Sequence, residues 1–174
     1  TVISQAAQDG GIKVIAGGAD GGSGLMAQSD ITSVKQLKGK KIGYVPNSSQ
    51  EMALRLLLKS EGLDPDSDVE MVNIGYSEMS EALERGDVDA FAGAEMGVSL
   101  AKLAGASEID SIYNTEIGKV NIALAASSEV IDGNPDLVKV AIEAHKKATE
   151  SLYKDKATWK SGVMKQFTFD SDAL

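Results

Sequence analysis

Residues Asp30 to Leu63, DITSVKQLKGKKIGYVPNSSQEMALRLLLKSEGL, carry the pattern that decides the fold. They read in order as a capped turn, a buried strand, a polar hydroxyl-rich loop and an amphipathic helix. Asp30 or Thr32-Ser33 can cap the short helix SVKQLKG, and KKIGYVP supplies a strand that ends at Pro46. Ser48 or Ser49 is a natural N-cap for EMALRLLLKSEGL, in which Met52, Leu54, Leu56, Leu57 and Leu58 form a wide apolar face and Gly62 is the C′ stop. Such a unit places backbone N–H groups at a helix start just past a strand end, where an open α/β sheet holds its ligands. The pattern implies binding rather than chemistry.

On the N-terminal side, TVISQAAQD reads as the end of a helix stopped by Gly10-Gly11, and IKVIAGG as a strand. Gly17, Gly18, Gly21, Gly22 and Gly24 then allow positive φ or close backbone approach, before a strand at LMAQ. On the C-terminal side, DVEMVNIG alternates as a strand, SEMSEALERG is a short helix with acidic residues near its start, and DVDAFAGA is a buried strand running into the helix AEMGVSLAKLAG. After SEIDSIYNTEIG, KVNIALAASSEVI reads as a long strand leading to Ser127-Ser128. Pro135 opens a long helix to Asp155, followed by a shorter amphipathic piece around Trp159. Strands and helices alternate without hairpin signals, which predicts a mainly parallel sheet in an α/β protein.

Composition narrows the function. The 174 residues are 43% hydrophobic and 25% charged, enough for one substantial core or two small lobes. The net charge is -9, and of 17 basic residues only Arg55 and Arg85 are arginines, which sets nucleic acid aside as a partner. The absence of cysteine excludes disulfides, thiolate metal sites and a cysteine nucleophile, and is compatible with either redox compartment. No apolar run approaches the ~20 residues of a membrane span. Thr1 begins within a helical pattern, with no basic start and apolar h-region, so a mature or trimmed piece of something longer is expected.

Three stretches taken together resemble the solute-binding proteins of ABC importers, within these the nitrate/sulfonate/taurine and pyrimidine-precursor branch. They are IKVIAGG through EGL at Leu63, ALERGDVDAFAGAE, and VNIALAASSEVIDGNPDLVKVAIEAHKKATESL. Its most specific phrases are S-V-x-x-L-K-G-K-K-I-G at Ser33–Gly43 and A-L-x-x-G-x-V-D-A at Ala82–Ala90. The resemblance implies a type II periplasmic-binding fold of two α/β lobes with the ligand in the cleft. Crossings would fall near Gln28–Thr32 and Gly118–Ile122, giving lobe I residues 1–29 and 119–174 and lobe II residues 30–118. Members of the family begin with a strand-loop-helix-strand portion of lobe I that nothing before Thr1 supplies, so lobe I is expected to be incomplete.

The resemblance and the residue pattern converge on Asn47, Ser48, Ser49 and Gln50, where strand turns into helix. A helix start offers unpaired N–H groups and partial positive charge, enough to hold an oxyanion without arginine, and a capping serine can serve there as well. Gly21, Gly22 and Ser23 fall where the resemblance puts a lobe I loop facing the cleft. They do not form a P-loop, which would end in Gly-Lys-Ser/Thr. Glu95, at the start of a helix, matches a position that often carries a cleft-facing residue; a carboxylate there pairs with a ligand amine, repels a simple anion, or serves only helix-start electrostatics. Tyr76 closes over a ligand or caps the sheet edge. Asn114 and Asn121 are candidates near the returning crossover. His145, the single histidine, and the acidic loop DPDSD at Asp64–Asp68, which lacks EF-hand spacing, read as structural.

The function implied is an exported ligand-binding component, periplasmic or extracellular and membrane-anchored, working with a membrane permease and closing by a hinge over a small ligand. Nitrate, sulfonates such as taurine, or a neutral heterocycle suit a cleft of N–H and hydroxyl donors. No cofactor and no metal site are expected, and the incomplete lobe makes self-association an expectation too. Two alternatives share the fold: a biosynthetic enzyme of the pyrimidine-precursor or menaquinone-route type, and the ligand-sensing domain of a LysR-type regulator. The first lacks any nameable base–nucleophile pair here, and no helix-turn-helix pattern supports the second.

Overall fold

A computed structural model describes residues 10–116 and 120–166; the helix expected at residues 1–9 lies outside them. In chain order the elements are β1 (Ile12–Asp20), β2 (Ser23–Ala27), a 3-10 turn (Val34–Leu37), β3 (Lys41–Tyr44), α1 (Ser49–Ser60), β4 (Glu70–Asn73), α2 (Met79–Arg85), β5 (Ala90–Ala94), α3 (Glu95–Leu103), β6 (Ser107–Asp110), β7 (Val120–Ser127), α4 (Ser128–Gly133), α5 (Pro135–Lys154) and α6 (Lys156–Gln166). The chain separates into two compact units, one of Thr1–Gly18 with Ile122–Leu174, the other Ala19–Asn121. The first division therefore falls before the crossing expected near Gln28–Thr32.

The physical reason is the pairing of β2. Its five residues bond antiparallel to β5, from Ser23 opposite Ala94 to Ala27 opposite Ala90, and it pairs with β6 on its other side. The whole sheet of the Ala19–Asn121 unit has the order β4-β3-β5-β2-β6. Strand β3 runs parallel to both β4 and β5, so four strands point one way and β2 alone is reversed. The α/β class and mostly parallel sheet agree with the sequence pattern. Gly21 and Gly22, expected with Ser23 on a lobe I loop, form the connection between β1 and β2, Ser23 opens β2, and all three belong to the Ala19–Asn121 unit.

Side chains alternate across the sheet and feed two apolar clusters. Leu25, Ala27, Ile42, Ala90 and Ala92 pack with Ala53, Leu54, Leu57 and Leu58 of α1 on one face. Met26 and Phe91 pack with Met79, Leu83 and Val98 of α2 and α3 on the other. Gly93 makes room for that second cluster: a Cβ there would lie 2.8 Å from the Phe91 ring. Helix α1 ends in a Schellman motif, with Gly62 at φ 79° donating its N–H to Lys59 and Leu63 donating to Leu58.

The unit containing β1 and β7 pairs those strands in a two-stranded sheet and carries α4, α5 and α6. Asn134 caps α5 through its side chain, which accepts from the Leu137 N–H at 3.3 Å, with Pro135 in the first turn. The long strand stops at Ser127 and the EVI that follows is helical, because the Ser127 hydroxyl accepts from the Val130 N–H. The piece around Trp159 is helical but not amphipathic, since Ala157, Trp159, Val163 and Met164 spread around its circumference. SVKQLKG forms a 3-10 turn rather than an α-helix.

Candidate functional site

Strand β3 ends at Tyr44, and the turn after it is held by side chains. Asn47 adopts a left-handed φ of 59°, and its N–H donates to Glu51 Oε2 at 2.7 Å. The Ser48 hydroxyl donates to the Val45 carbonyl at 2.7 Å and accepts from the Glu51 N–H at 3.0 Å, which makes Ser48 the N-cap and Ser49 the first helical residue. Glu51 is pinned in turn by Arg55 Nε at 3.0 Å, and Arg55 also reaches Asp66 at 2.8 Å. Hydrogen bonds to Asp66 and then Glu51 hold the Arg55 guanidinium above its ordinary pKa. The spacing Ser48-x-x-Glu51 is a capping-box signal that marks Glu51 in the sequence, whereas the reach of Arg55 to Asp66 has no such local signal.

Gln50, buried beside this cap, ties three segments together. Its Nε2 donates to Ser23 Oγ at 2.9 Å, at the start of β2. Its Oε1 accepts from the Tyr76 hydroxyl at 2.8 Å, just beyond β4, and from Ser49 Oγ at 3.2 Å. Gly21 and Gly22, at φ 89° and 73°, lead into Ser23, and a Cβ on Gly22 would lie 3.2 Å from the Cβ of Glu95. Glu95 opens α3 directly after β5, is exposed, and accepts from the Ser99 hydroxyl at 2.8 Å.

The register places these groups together. Strands β3, β4 and β5 run parallel, so Asn47–Gln50, Tyr76 and Glu95 all follow the carboxyl ends of neighbouring strands, while the reversed β2 begins at the same edge with Gly21–Ser23. This is the edge at which open α/β sheets bind ligands. Asn114 follows β6 and is bound within its own turn, its Nδ2 donating to Asp110 Oδ1 at 3.1 Å. Asn121 falls in β7, outside the residues whose side chains are described. His145 donates from Nε2 to the Gly17 carbonyl at 2.8 Å, a contact within the other unit, and the Asp64 and Asp68 carboxylates accept from backbone N–H groups of their own loop.

Hydroxyls, a buried carboxamide, a carboxylate and the start of a twelve-residue helix are thus gathered at one sheet edge. Residues 2–158 match the family described as NMT1/THI5 like, and the chain belongs to that family. The fold is that of the periplasmic aliphatic sulphonate-binding protein SsuA of Escherichia coli, with a TM-score of 0.83 at 17% identity, over 99% of this chain and 60% of that one. Among curated proteins, the nitrate import ATP-binding protein NrtC of Synechococcus elongatus is 45% identical over 64 residues, 37% of this chain and 10% of the relative. A Haemophilus influenzae protein named for thiamine biosynthesis is 39% identical over 80 residues, 46% of this chain and 25% of the relative. The chain thus spans a quarter or less of these curated relatives. The desulfurization enzyme DszB has the same fold at a TM-score of 0.59 and 18% identity, over 94% of this chain and 61% of that one, so fold alone does not separate binding from catalysis.

Proposed function

We propose that this chain is the extracytoplasmic solute-binding component of an ABC importer, holding a small anionic or polar ligand of the nitrate or sulfonate/taurine class and delivering it unchanged to a membrane permease. The observation that carries the proposal is the gathering of Ser48–Gln50, Tyr76, Glu95 and Gly21–Ser23 at the carboxyl edge of the sheet. Family membership and the shared fold with a periplasmic sulphonate-binding protein supply the context. An oxyanion at the start of α1 would meet the helix N–H groups and the positive end of the helix dipole. Pinning of Glu51 by Arg55 reduces the repulsion an anion would otherwise meet there. The export, the permease and the absence of turnover are parts of this proposal. The Haemophilus relative favours a second reading, a protein handling a thiamine precursor, for which a neutral aminopyrimidine replaces the anion.

The test uses Ser49→Pro. Ser49 is the first helical residue and Ser48 before it is extended, φ -99° and ψ 163°, so proline fits the backbone while deleting one N–H and the hydroxyl that reaches Gln50. Calorimetric titration with nitrate, ethanesulfonate, taurine and an aminopyrimidine should give binding of one class by the wild type and a loss of about tenfold or more in the folded variant. Unchanged affinity in the variant would remove α1 from the site, and conversion of the ligand during titration would replace binding with catalysis.

A further inference from the structure

Among the described residues the buried polar side chains are Ser23, Gln50 and Ser80, and two of these bond to each other in the candidate site. A carboxamide has two unlike ends: its oxygen only accepts and its nitrogen only donates. At Gln50 the nitrogen reaches Ser23 Oγ, whereas the oxygen receives both the Tyr76 and the Ser49 hydroxyls, at 2.8 and 3.2 Å. A hydroxyl has a single proton. With its proton directed into Gln50, Tyr76 meets any further group as an acceptor. Turning the amide over would exchange its ends and give that proton back.

We infer that Gln50 is a specificity-determining residue that sets the hydrogen-bond polarity of the ligand site, selecting for ligands that bring a proton donor to Tyr76. The inference rests on the binding reading above. It separates two kinds of group in the site: helix-start amides, which can only donate, and the Gln50-bound Tyr76 hydroxyl with the Glu95 carboxylate, which accept. A ligand carrying an acceptor at one end and an N–H donor at the other satisfies both. A bare oxyanion satisfies only the first.

Taurine and ethanesulfonate share a sulfonate and differ by an ammonium group, so the ratio of their affinities for the full chain reports the polarity. The wild type should prefer taurine. Gln50→Met, close in length but without the accepting oxygen, releases the Tyr76 hydroxyl proton and should lower the taurine preference about tenfold, the value of one hydrogen bond to a charged group. Gln50→Glu, which can only accept, should keep or raise the preference. An unchanged ratio in Gln50→Met, with both affinities falling together, would reduce Gln50 to a packing role and overturn the inference. So would equal binding of the two sulfonates by the wild type.

A chain that binds neither sulfonate would overturn the parent reading instead, and the orientation of Gln50 is then decided without ligand. In NMR hydrogen exchange, Ser23→Ala should speed exchange of the Gln50 Nε2 protons and Tyr76→Phe should leave them protected. The reverse pattern would mean the amide is turned over, and the inference would fall.

Discussion

The two units of this chain differ in how they use apolar residues. Within Ala19–Asn121, Leu25, Met26, Leu37, Ile42, Leu54, Leu58 and Phe91 are fully buried against one face of the sheet or the other. Among the described residues of the other unit none is buried, and Val14, Ile122, Leu137 and Val140 are each more than half exposed. A groove of about 650 Å³ in that unit is lined by Leu152, Tyr153 and Trp159, with Lys156 and Lys160 beside them. It holds no buried polar group of the Gln50 kind. Every candidate site residue whose side chain is described lies in the unit that has the core. A binding edge of short polar contacts needs a stiff support, and a sheet packed on both faces supplies it.

The largest effect expected from this contrast is on stability. Leu54→Ala removes a fully buried side chain from α1 and should cost about 2–5 kcal/mol in denaturant unfolding. Val140→Ala, at a position 62% exposed, should stay within about 0.5 kcal/mol, and an equal cost at both positions would break the comparison. Gly93→Ala sharpens it from the side of overpacking. Its Cβ would meet the Phe91 ring at 2.8 Å, and a loss of about 1–3 kcal/mol is expected, read from the shift of the unfolding midpoint.

Smaller again is the cap. Ser48→Ala deletes the hydroxyl that accepts from Glu51 N–H and donates to Val45, at a cost of about 1 kcal/mol, and should weaken ligand binding only as far as the turn loosens. The smallest effect is electrostatic. The Asp64 N–H and then Lys38 hold the Asp68 carboxyl below its ordinary pKa. Because the folded value is the lower one, the contribution is complete above the ordinary carboxylate range and is lost as pH falls through the folded value. Asp68→Asn should therefore leave stability at pH 7 slightly lower and make the acid side of the pH–stability curve shallower; an unchanged acid limb would contradict it. The Asp68 carboxyl lies at the surface and its partner Lys38 is well exposed, so the change is small.

Much of the site-bearing unit was legible along the chain because its signals are local. The Ser48 cap, the Gly62 stop and the apolar face of α1 are each set by residues within a few positions of one another. Strand β6 was not legible. Ser107–Asp110 has two charges in four residues and becomes a strand only by pairing with β2. The reversal of β2 had no local signal either, since direction is decided by its neighbours β5 and β6. The site divides the same way. That Ser48–Gln50, Tyr76 and Glu95 follow strand ends could be read from periodicity. That Gln50 bonds Ser23, 27 residues away, and Tyr76, 26 residues away, depends on strand order, which no window of sequence contains.

In the proposed function the start of α1, held by Ser48 and Gln50 at the carboxyl edge of the sheet, receives the ligand. Amide hydrogen exchange by NMR on the full chain, with and without a saturating sulfonate, tests it most directly. Protection added at Ser48–Gln50, Tyr76 and Glu95 is the predicted result. A sulfonate that binds while leaving those amides unchanged would contradict it.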